Sequence, residues 1–232
     1  MSSEPAGAHG LFAAIRPTRA DKSGELLGLM GDETPRKKIK KAKRPRQKHE
    51  FERTPPEGSR AFIAAEIDRL KRFPLIWEGA AGDGAITREL EAVGLSVVSS
   101  DLVDRGMGAT IKDFYDFKRR LAPAMVTNPP YSEVNWANGK GRWITHAMEE
   151  LGLEYMALLL SWSWPGAAGL DRIWGRYPPA RVYLMRFRLD FSGAGSPPQL
   201  NAWFVWERGF QGNPELIMLD HADARQIEWN ME

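Results

Sequence analysis

Several residue types are missing or scarce in this sequence, and each absence excludes a class of protein. The chain has no cysteine, which excludes disulfide bonds and argues against a thiolate metal site. Its four histidines are scattered, without the spacing of metal ligands. No apolar run approaches the roughly 20 residues that a membrane helix needs, and the N-terminus lacks the pattern of a secretory signal. We therefore expect a cytoplasmic protein without a metal site.

Positive charge is concentrated in one short segment. Residues 36–48 contain nine lysines and arginines and no acid, and subtracting these nine from the net charge of +2 leaves −7 for the rest of the chain. Residues 1–50 show little periodicity and predict a disordered arm, followed by one folded domain over residues 51–232. The arm is a candidate for contact with nucleic acid phosphates, although an incidental solubilising tail is the alternative. Its candidate contact residues are Lys37, Lys38, Lys40, Lys41, Lys43 and Arg44.

One apolar run ends in an unusual tetrapeptide. Residues 124–127 predict a buried strand, and Asn128-Pro129-Pro130-Tyr131 follows. Because proline cannot continue a strand ladder, the strand must stop there. Asn128 should then lie at the carboxyl end of a strand, where open α/β sheets bind ligands. The Asn128 amide oxygen, the Pro129 carbonyl and the Tyr131 ring suit a planar group that bears an NH2; a plain turn is the alternative.

A second candidate ligand segment lies upstream. Residues 75–86 form a short apolar strand and a turn that contains Gly79, Gly82 and Gly84, so the backbone can bend sharply and approach a ligand. The turn fits neither the dinucleotide fingerprint nor the phosphate-binding loop.

An acid follows the next predicted strand. Asp101 ends the strand predicted over residues 95–101 and can accept the ribose hydroxyls of a nucleoside. Asp104 is the fallback, and a solvated turn acid is the alternative. Strands and helices alternate along the chain, which favours a mostly parallel sheet with crossover helices.

These motifs resemble a known family. Thr127 to Ser132 (TNPPYS) is similar to the catalytic motif of S-adenosylmethionine-dependent amino-methyltransferases, most closely the phage-type DNA adenine-N6 methyltransferases, and the resemblance runs from about residue 51 to about residue 206. It implies an α/β fold of the Rossmann-like class I methyltransferase type, with helices on both faces and an antiparallel final strand. It also implies S-adenosylmethionine as the cofactor and double-stranded DNA with a flipped target base as the partner, in a bacterial or phage-infected cytoplasm.

The resemblance implies a role for each motif residue. Thr54 would contact the methionine end of the cofactor, Asp113 its adenine amine, and Phe114 would pack nearby. A capping turn at Thr54 and a core position for Phe114 are the alternatives. An acid at Glu78 suits the cofactor's ammonium group. The complete set is catalytic Asn128, Pro129, Pro130 and Tyr131, and cofactor-binding Thr54, Glu78, Gly79, Ala80, Gly82, Asp101, Asp113 and Phe114.

Other segments are candidates for contact with DNA. Residues 132–142 predict a mobile loop from which Lys140 and Arg142 could meet phosphates, although an ordinary exposed loop would look the same. By resemblance, Trp162 or Trp164 would line the pocket for the target base. Residues 143–151, which follow the loop, predict an amphipathic helix.

The acceptor is left open by the sequence. Asn128 favours adenine, because cytosine-N4 enzymes usually have serine at this place, but similar motifs occur in enzymes that methylate RNA or glutamine amides. A catalytically inactive DNA-binding module of the same fold is a further alternative.

Overall fold

The computed structural model describes residues 52–134, 141–167, 169–193, 195 and 199–225. Its α-helices are α1 (Pro56–Leu70), α2 (Ala85–Ala92), α3 (Tyr131–Val134), α4 (Arg142–Thr145), α5 (Asp171–Arg176) and α6 (His221–Arg225). Its strands are β1 (Ile76–Glu78), β2 (Val97–Asp101), β3 (Thr110–Ile111), β4 (Ala124–Thr127), β5 (Tyr155–Ser161), β6 (Arg181–Met185), β7 (Asn201–Glu207) and β8 (Glu215–Leu219). Short 3-10 turns cover Phe114–Asp116 and Trp164–Gly166.

The described strands form one eight-stranded sheet in the order β3-β2-β1-β4-β5-β7-β6-β8. Neighbouring strands are parallel except where β7 pairs antiparallel with both β5 and β6. The predicted mostly parallel sheet is therefore confirmed, but the antiparallel strand is β7 and the last described strand, β8, is parallel to its neighbour. Because β7 runs the opposite way, its first residue, Asn201, pairs with the last residue of β5, Ser161.

Helices cover both faces of the sheet, as predicted. The α1, α2 and α6 helices pack on one face against a core that includes Phe62, Ile86 and Trp203. The α3, α4 and α5 helices pack on the other face against a core that includes Trp143 and Phe204. The central strands have both faces covered, which explains why β4 and β5 are nearly continuous apolar runs.

The α1 helix is fixed to the sheet by specific contacts. Pro56 stands at its first position, where the missing N–H group costs nothing. The ring of Phe62 stacks on Trp203 with ring centres 4.4 Å apart, and the Trp203 indole donates a hydrogen bond to the Gly58 carbonyl at 2.9 Å. The first turns of α1 are therefore held against β7.

One predicted helix differs in form. The sequence predicts a regular amphipathic helix over residues 143–151, but α4 ends at Thr145 and continues as a π-helical turn over His146–Glu150. The Leu151 N–H group donates to the His146 carbonyl at 3.0 Å, which is the wider hydrogen bond of that turn.

Candidate functional site

The two ligand segments meet at one edge of the sheet. The β4 strand ends at Thr127, immediately before Asn128, and pairs with β1, which leads into the glycine-rich turn. The Ala80 N–H group in that turn donates to Thr127 Oγ1 at 3.1 Å. Asn128 and the turn therefore share the carboxyl edge of the sheet, as the sequence predicted.

Asn128 is partly buried, and the nitrogen of its side-chain amide forms a hydrogen bond. Asn128 Nδ2 donates to Thr54 Oγ1 at 3.1 Å, and Thr54 is only 5% exposed. Since the amide nitrogen is taken by this contact, the amide oxygen is the end that remains for the N–H groups of a ligand. Thr54 thus lies beside a predicted catalytic residue, a contact that the sequence did not predict.

Tyr131 is held at its hydroxyl group. Asn201 Nδ2 donates to the Tyr131 hydroxyl oxygen at 3.1 Å, and Asn201 is 2% exposed. Burial is the main cause that raises the pKa of Tyr131, and the nearby Glu52 carboxylate adds to the shift. The phenol is therefore neutral at ordinary pH, and Tyr131 presents an uncharged ring at the edge where Asn128 lies.

The glycine-rich turn approaches its neighbours closely. A Cβ atom at Gly79 would lie 2.9 Å from the Met125 methyl group. Gly82 and Gly84 have φ angles of 58° and 77°, which side chains other than glycine rarely adopt. Substitution at Gly79 would require the end of the Met125 side chain to move, whereas substitution at Gly82 or Gly84 would strain the turn.

The predicted ribose acceptor stands next to this turn. Asp101 Oδ2 accepts from the Gly82 N–H group at 2.7 Å, and Asp101 Oδ1 accepts from the Val103 N–H group at 2.8 Å. Each oxygen takes one backbone hydrogen bond and retains acceptor capacity, so the carboxylate can still receive hydroxyl groups. Asp104 instead accepts from Gly106 in an exposed turn, which favours Asp101 over the fallback.

Glu78 has a different position from the one expected of an ammonium contact. It is 1% exposed, and its Oε2 atom accepts from the Thr87 N–H group at 2.8 Å and from the Thr87 hydroxyl. These contacts tie the carboxyl group to the first turn of α2. Burial is the main cause that raises the pKa of Glu78 to about 8, with the charges of Asp101 and Asp83 adding to it and the Thr87 contacts opposing it. Contact with a cofactor therefore stays a prediction for Glu78.

Asp113 and Phe114 occupy contrasting environments. Asp113 is exposed, and its Oδ1 atom accepts from the Tyr115 N–H group at 2.9 Å. Phe114 is 5% exposed and stacks on Trp143, with ring centres 3.7 Å apart. It also contacts Trp77. Phe114 is a core residue, which was the alternative to its cofactor role.

The predicted DNA contacts are only partly described. The arm residues Lys37 to Arg44 and Lys140 lie outside the described residues. Arg142 is exposed, and its guanidinium carbon lies 3.6 Å from the centre of the Tyr115 ring, a cation–π contact. Of the two tryptophans proposed for a base pocket, Trp164 is 3% exposed and belongs to the core, whereas Trp162 is 38% exposed after β5.

The described ranges contain neither a metal-binding cluster nor a membrane helix. Within them, no three His, Cys, Asp or Glu side chains come close enough together to hold a metal ion. No helix in this part of the chain is long and apolar enough to cross a membrane.

Sequence reasoning missed three contacts. Thr54 was assigned to the cofactor, and Asn201 was given no role because it was simply the first residue of a strand. The buried Glu66 on α1 was also missed, since a single acid in a helix carries no signal of its partner 115 residues away, Arg181. A polar residue inside an apolar run, such as Asn201 before AWFVW, is the one available signal.

Comparison with known proteins supports the fold. No family profile matches the chain, and no curated protein does. A proposed class I S-adenosylmethionine-dependent methyltransferase from Listeria monocytogenes superposes with a TM-score of 0.51 at 10% identity, over 77% of this chain and 69% of that one. A proposed RNA methyltransferase from Pyrococcus horikoshii has a TM-score of 0.47 at 12% identity, over 68% of this chain and 85% of that one. The M protein of the type I restriction enzyme EcoKI has a TM-score of 0.44 at 13% identity, over 67% and 44% respectively. The chain has the Rossmann-like fold of class I methyltransferases.

Proposed function

We propose that the protein transfers a methyl group from S-adenosylmethionine to the N6 amino group of adenine in DNA. The observation that carries this proposal is the position of Asn128. Its amide nitrogen is engaged by Thr54, its amide oxygen is left for a ligand, and it lies at the strand edge shared with the glycine-rich turn. Such an acceptor, fixed by two prolines, suits a planar group with an NH2.

The residues around the turn fit the proposed cofactor. The bend at Gly82 and the remaining acceptor capacity of Asp101 suit a nucleoside with a ribose. Asp113 has an exposed carboxylate for an adenine amine. When bound, S-adenosylmethionine supplies an activated methyl group on a positively charged sulfur.

The protein's part in the reaction is orientation and charge stabilisation. The lone pair of an adenine amino nitrogen is delocalised into the ring, so the group is a poor nucleophile. Asn128 Oδ1 and the Pro129 carbonyl would accept its two hydrogens and stabilise the positive charge that develops on the nitrogen. Tyr131 would stack on the base and fix its angle, and alignment of two bound reactants supplies much of the acceleration.

DNA as the substrate follows from this chemistry and from the charge distribution. A base inside a duplex cannot reach the strand edge, so the target must be flipped out, with aromatic packing in place of the duplex stacking. Trp162 is the exposed aromatic residue beside β5 that could contribute. The basic arm would add phosphate contacts that are independent of sequence.

Methyl transfer from labelled cofactor to double-stranded DNA tests the proposal. We expect activity in the wild type and a loss of about 100-fold or more in Asn128→Ala, because a preorganised acceptor is removed. Asn213→Ala, an exposed substitution of the same type, is the matched control and should keep full activity. Full activity of Asn128→Ala would contradict the catalytic assignment.

Identification of the product tests the acceptor. Digestion of the methylated DNA followed by mass spectrometry should give N6-methyladenine. N4-methylcytosine would move the assignment to the other exocyclic amine. Unmodified DNA from a protein that binds S-adenosylmethionine in calorimetry would point to another acceptor, and absence of cofactor binding would favour a non-catalytic module.

A further inference from the structure

Asn128 and Tyr131 are each held by a residue from a distant part of the chain. The Thr54 hydroxyl, which comes from the segment before α1, accepts from Asn128 Nδ2 at 3.1 Å. Asn201, the first residue of β7, donates to the Tyr131 hydroxyl at 3.1 Å. The two ends of the tetrapeptide are thus fixed from outside, across sequence separations of 74 and 70 residues.

The Thr54 contact engages the nitrogen end of the Asn128 amide. An amide can rotate to exchange its oxygen and nitrogen, and only the oxygen can accept hydrogens from an amino group. A hydroxyl group can donate as well as accept, and in the observed orientation the Thr54 oxygen accepts from Asn128 Nδ2, which leaves the amide oxygen for a ligand. Thr54 is itself held in place, because the next residues begin α1 and the preceding Arg53 forms an ion pair with Asp83 in the glycine-rich turn at 3.1 Å.

The Asn201 contact is not explained by stability alone. Asn201 Oδ1 is buried and has no hydrogen-bond partner in the described structure. An unsatisfied buried acceptor is costly, so an apolar residue would be expected here if packing were its only purpose. The amide nitrogen instead donates to the hydroxyl of Tyr131, the aromatic residue of the tetrapeptide, at 3.1 Å and, over a longer distance of 3.5 Å, to the Leu160 carbonyl.

We infer that Thr54 and Asn201 are positioning residues for methyl transfer, with Thr54 orienting the Asn128 amide and Asn201 fixing the Tyr131 ring against the target base. This inference rests on the proposed function. It differs from the sequence expectation for Thr54, which was a contact with the methionine end of the cofactor. The two assignments give opposite kinetic results.

The substitutions Thr54→Val and Thr54→Ser test whether Thr54 orients the Asn128 amide. Valine keeps the shape of threonine but cannot accept a hydrogen bond, so kcat should fall about 10- to 100-fold as the amide loses its fixed orientation. The dissociation constant for S-adenosylmethionine, measured by calorimetry, should stay unchanged. Thr54→Ser keeps the hydroxyl and should retain most of the activity. Wild-type kcat in Thr54→Val, or weaker cofactor binding with unchanged kcat, would overturn the assignment.

A measurement that does not depend on turnover separates this inference from the proposed function. In 15N NMR spectra of the full chain, the Asn128 side-chain NH2 signals should shift in Thr54→Val and stay near their wild-type positions in Thr54→Ser. If the wild type methylates no DNA but these shifts appear, the proposed function fails and the orienting contact stands. Identical NH2 signals in Thr54→Val and in the wild type would rule out the contact itself.

A double-mutant cycle tests whether Asn201 acts through the Tyr131 hydroxyl. Asn201→Ala should lower kcat/KM for DNA about tenfold, with unchanged cofactor binding. In the Tyr131→Phe background the same substitution should have little further effect, because the hydroxyl through which Asn201 acts is already gone. Additive losses in the double variant would show that Asn201 does not act through Tyr131.

Discussion

At the scale of single residues, Glu78 shows how a carboxyl group at the carboxyl edge of the sheet can stabilise the fold. It is 1% exposed, and its bonds to Thr87 fix the start of α2 directly beside the glycine-rich turn. Burial penalises the ionised form and raises the pKa of Glu78 to about 8. Near neutral pH the carboxyl group is therefore close to its titration point, which makes the protein sensitive to pH at this position.

The raised pKa of Glu78 predicts the direction in which the stability of the protein changes with pH. The ordinary pKa of 4.5 applies to unfolded Glu78, so between about pH 4.5 and pH 8 the folded protein binds more protons than the unfolded chain. The contribution of Glu78 to the free energy of unfolding should fall as pH rises through this window, by at most about 1.4 kcal/mol per pH unit. Glu78→Gln, which cannot ionise, should remove this decline.

Urea unfolding at pH 5.5 and at pH 8 checks the effect. Glu91→Gln, an exposed substitution on α2, the helix that Glu78 contacts through Thr87, is the control and should follow the wild type at both pH values. Parallel pH profiles for Glu78→Gln and the wild type would contradict the raised pKa.

At the scale of elements, α1 is anchored to the sheet by a buried ionic cluster. Glu66 is fully buried and accepts from Arg181 Nε at 2.7 Å, from the Tyr155 hydroxyl at 3.2 Å and from the Tyr183 hydroxyl. Arg181 also donates to Glu207 at 2.6 Å. The cluster connects α1 to β5, β6 and β7, and it therefore fixes the helix whose preceding residues carry Thr54.

Removal of one partner should be costly. Arg181→Leu would leave the buried Glu66 carboxylate with only the more exposed Arg69, 3.4 Å away, as a cation, so we expect a loss of about 3 kcal/mol in the free energy of unfolding. Chemical denaturation measures this loss. Arg186→Ala, which breaks an exposed pair with Asp220, is the control and should cost less than about 1 kcal/mol. Similar losses in the two variants would show that the buried cluster contributes no more than a surface pair.

The same elements show what sequence can and cannot predict. The β4 strand and its sharp end were predictable, because an apolar run before two prolines allows few alternatives. The order of alternating strands and helices was also predictable, because each element has its own local pattern of apolar residues. The partner of Glu66 was not, since ion pairs across 115 residues depend on which strands become neighbours.

For the site, the motif residues were predictable but their contacts were only partly so. Asp101 and the glycine-rich turn lie together as the spacing indicated. The burial of Glu78 was missed, and a core position for Phe114 was only the alternative, because nothing in a local pattern says whether a side chain at a sheet edge points toward a ligand or into the core. Thr54 meets Asn128 only through the packing of α1, which is a tertiary effect.

At the scale of the whole molecule, charge is divided between a basic segment and an acidic remainder. Residues 36–48 carry nine positive charges, while the rest of the chain sums to −7. If the arm contacts DNA as we propose, the acidic remainder opposes the attraction, and the net affinity should depend strongly on salt.

Neutralisation of the arm tests whether its positive charges bind DNA. Replacing Lys37, Lys38, Lys40, Lys41 and Lys43 by glutamine should weaken DNA binding and lower the slope of log affinity against log salt by about 0.9 for each phosphate that the arm no longer neutralises. Fluorescence anisotropy with labelled duplex DNA at several salt concentrations measures the slope. Cofactor affinity is the control and should stay at the wild-type value. An unchanged slope would assign the arm a role other than DNA binding.

The reversed direction of β7 has a consequence for how this protein could diversify. Seven successive residue pairs, from Tyr155–Glu207 to Ser161–Asn201, join β7 to β5 and fix its register. The connection that precedes Asn201 can therefore lengthen, shorten or be exchanged without moving that side chain, whereas a one-residue deletion within the strand would turn it to the opposite face. Evolution and protein engineering alike are free to rebuild that connection while the Asn201 amide stays beside Tyr131.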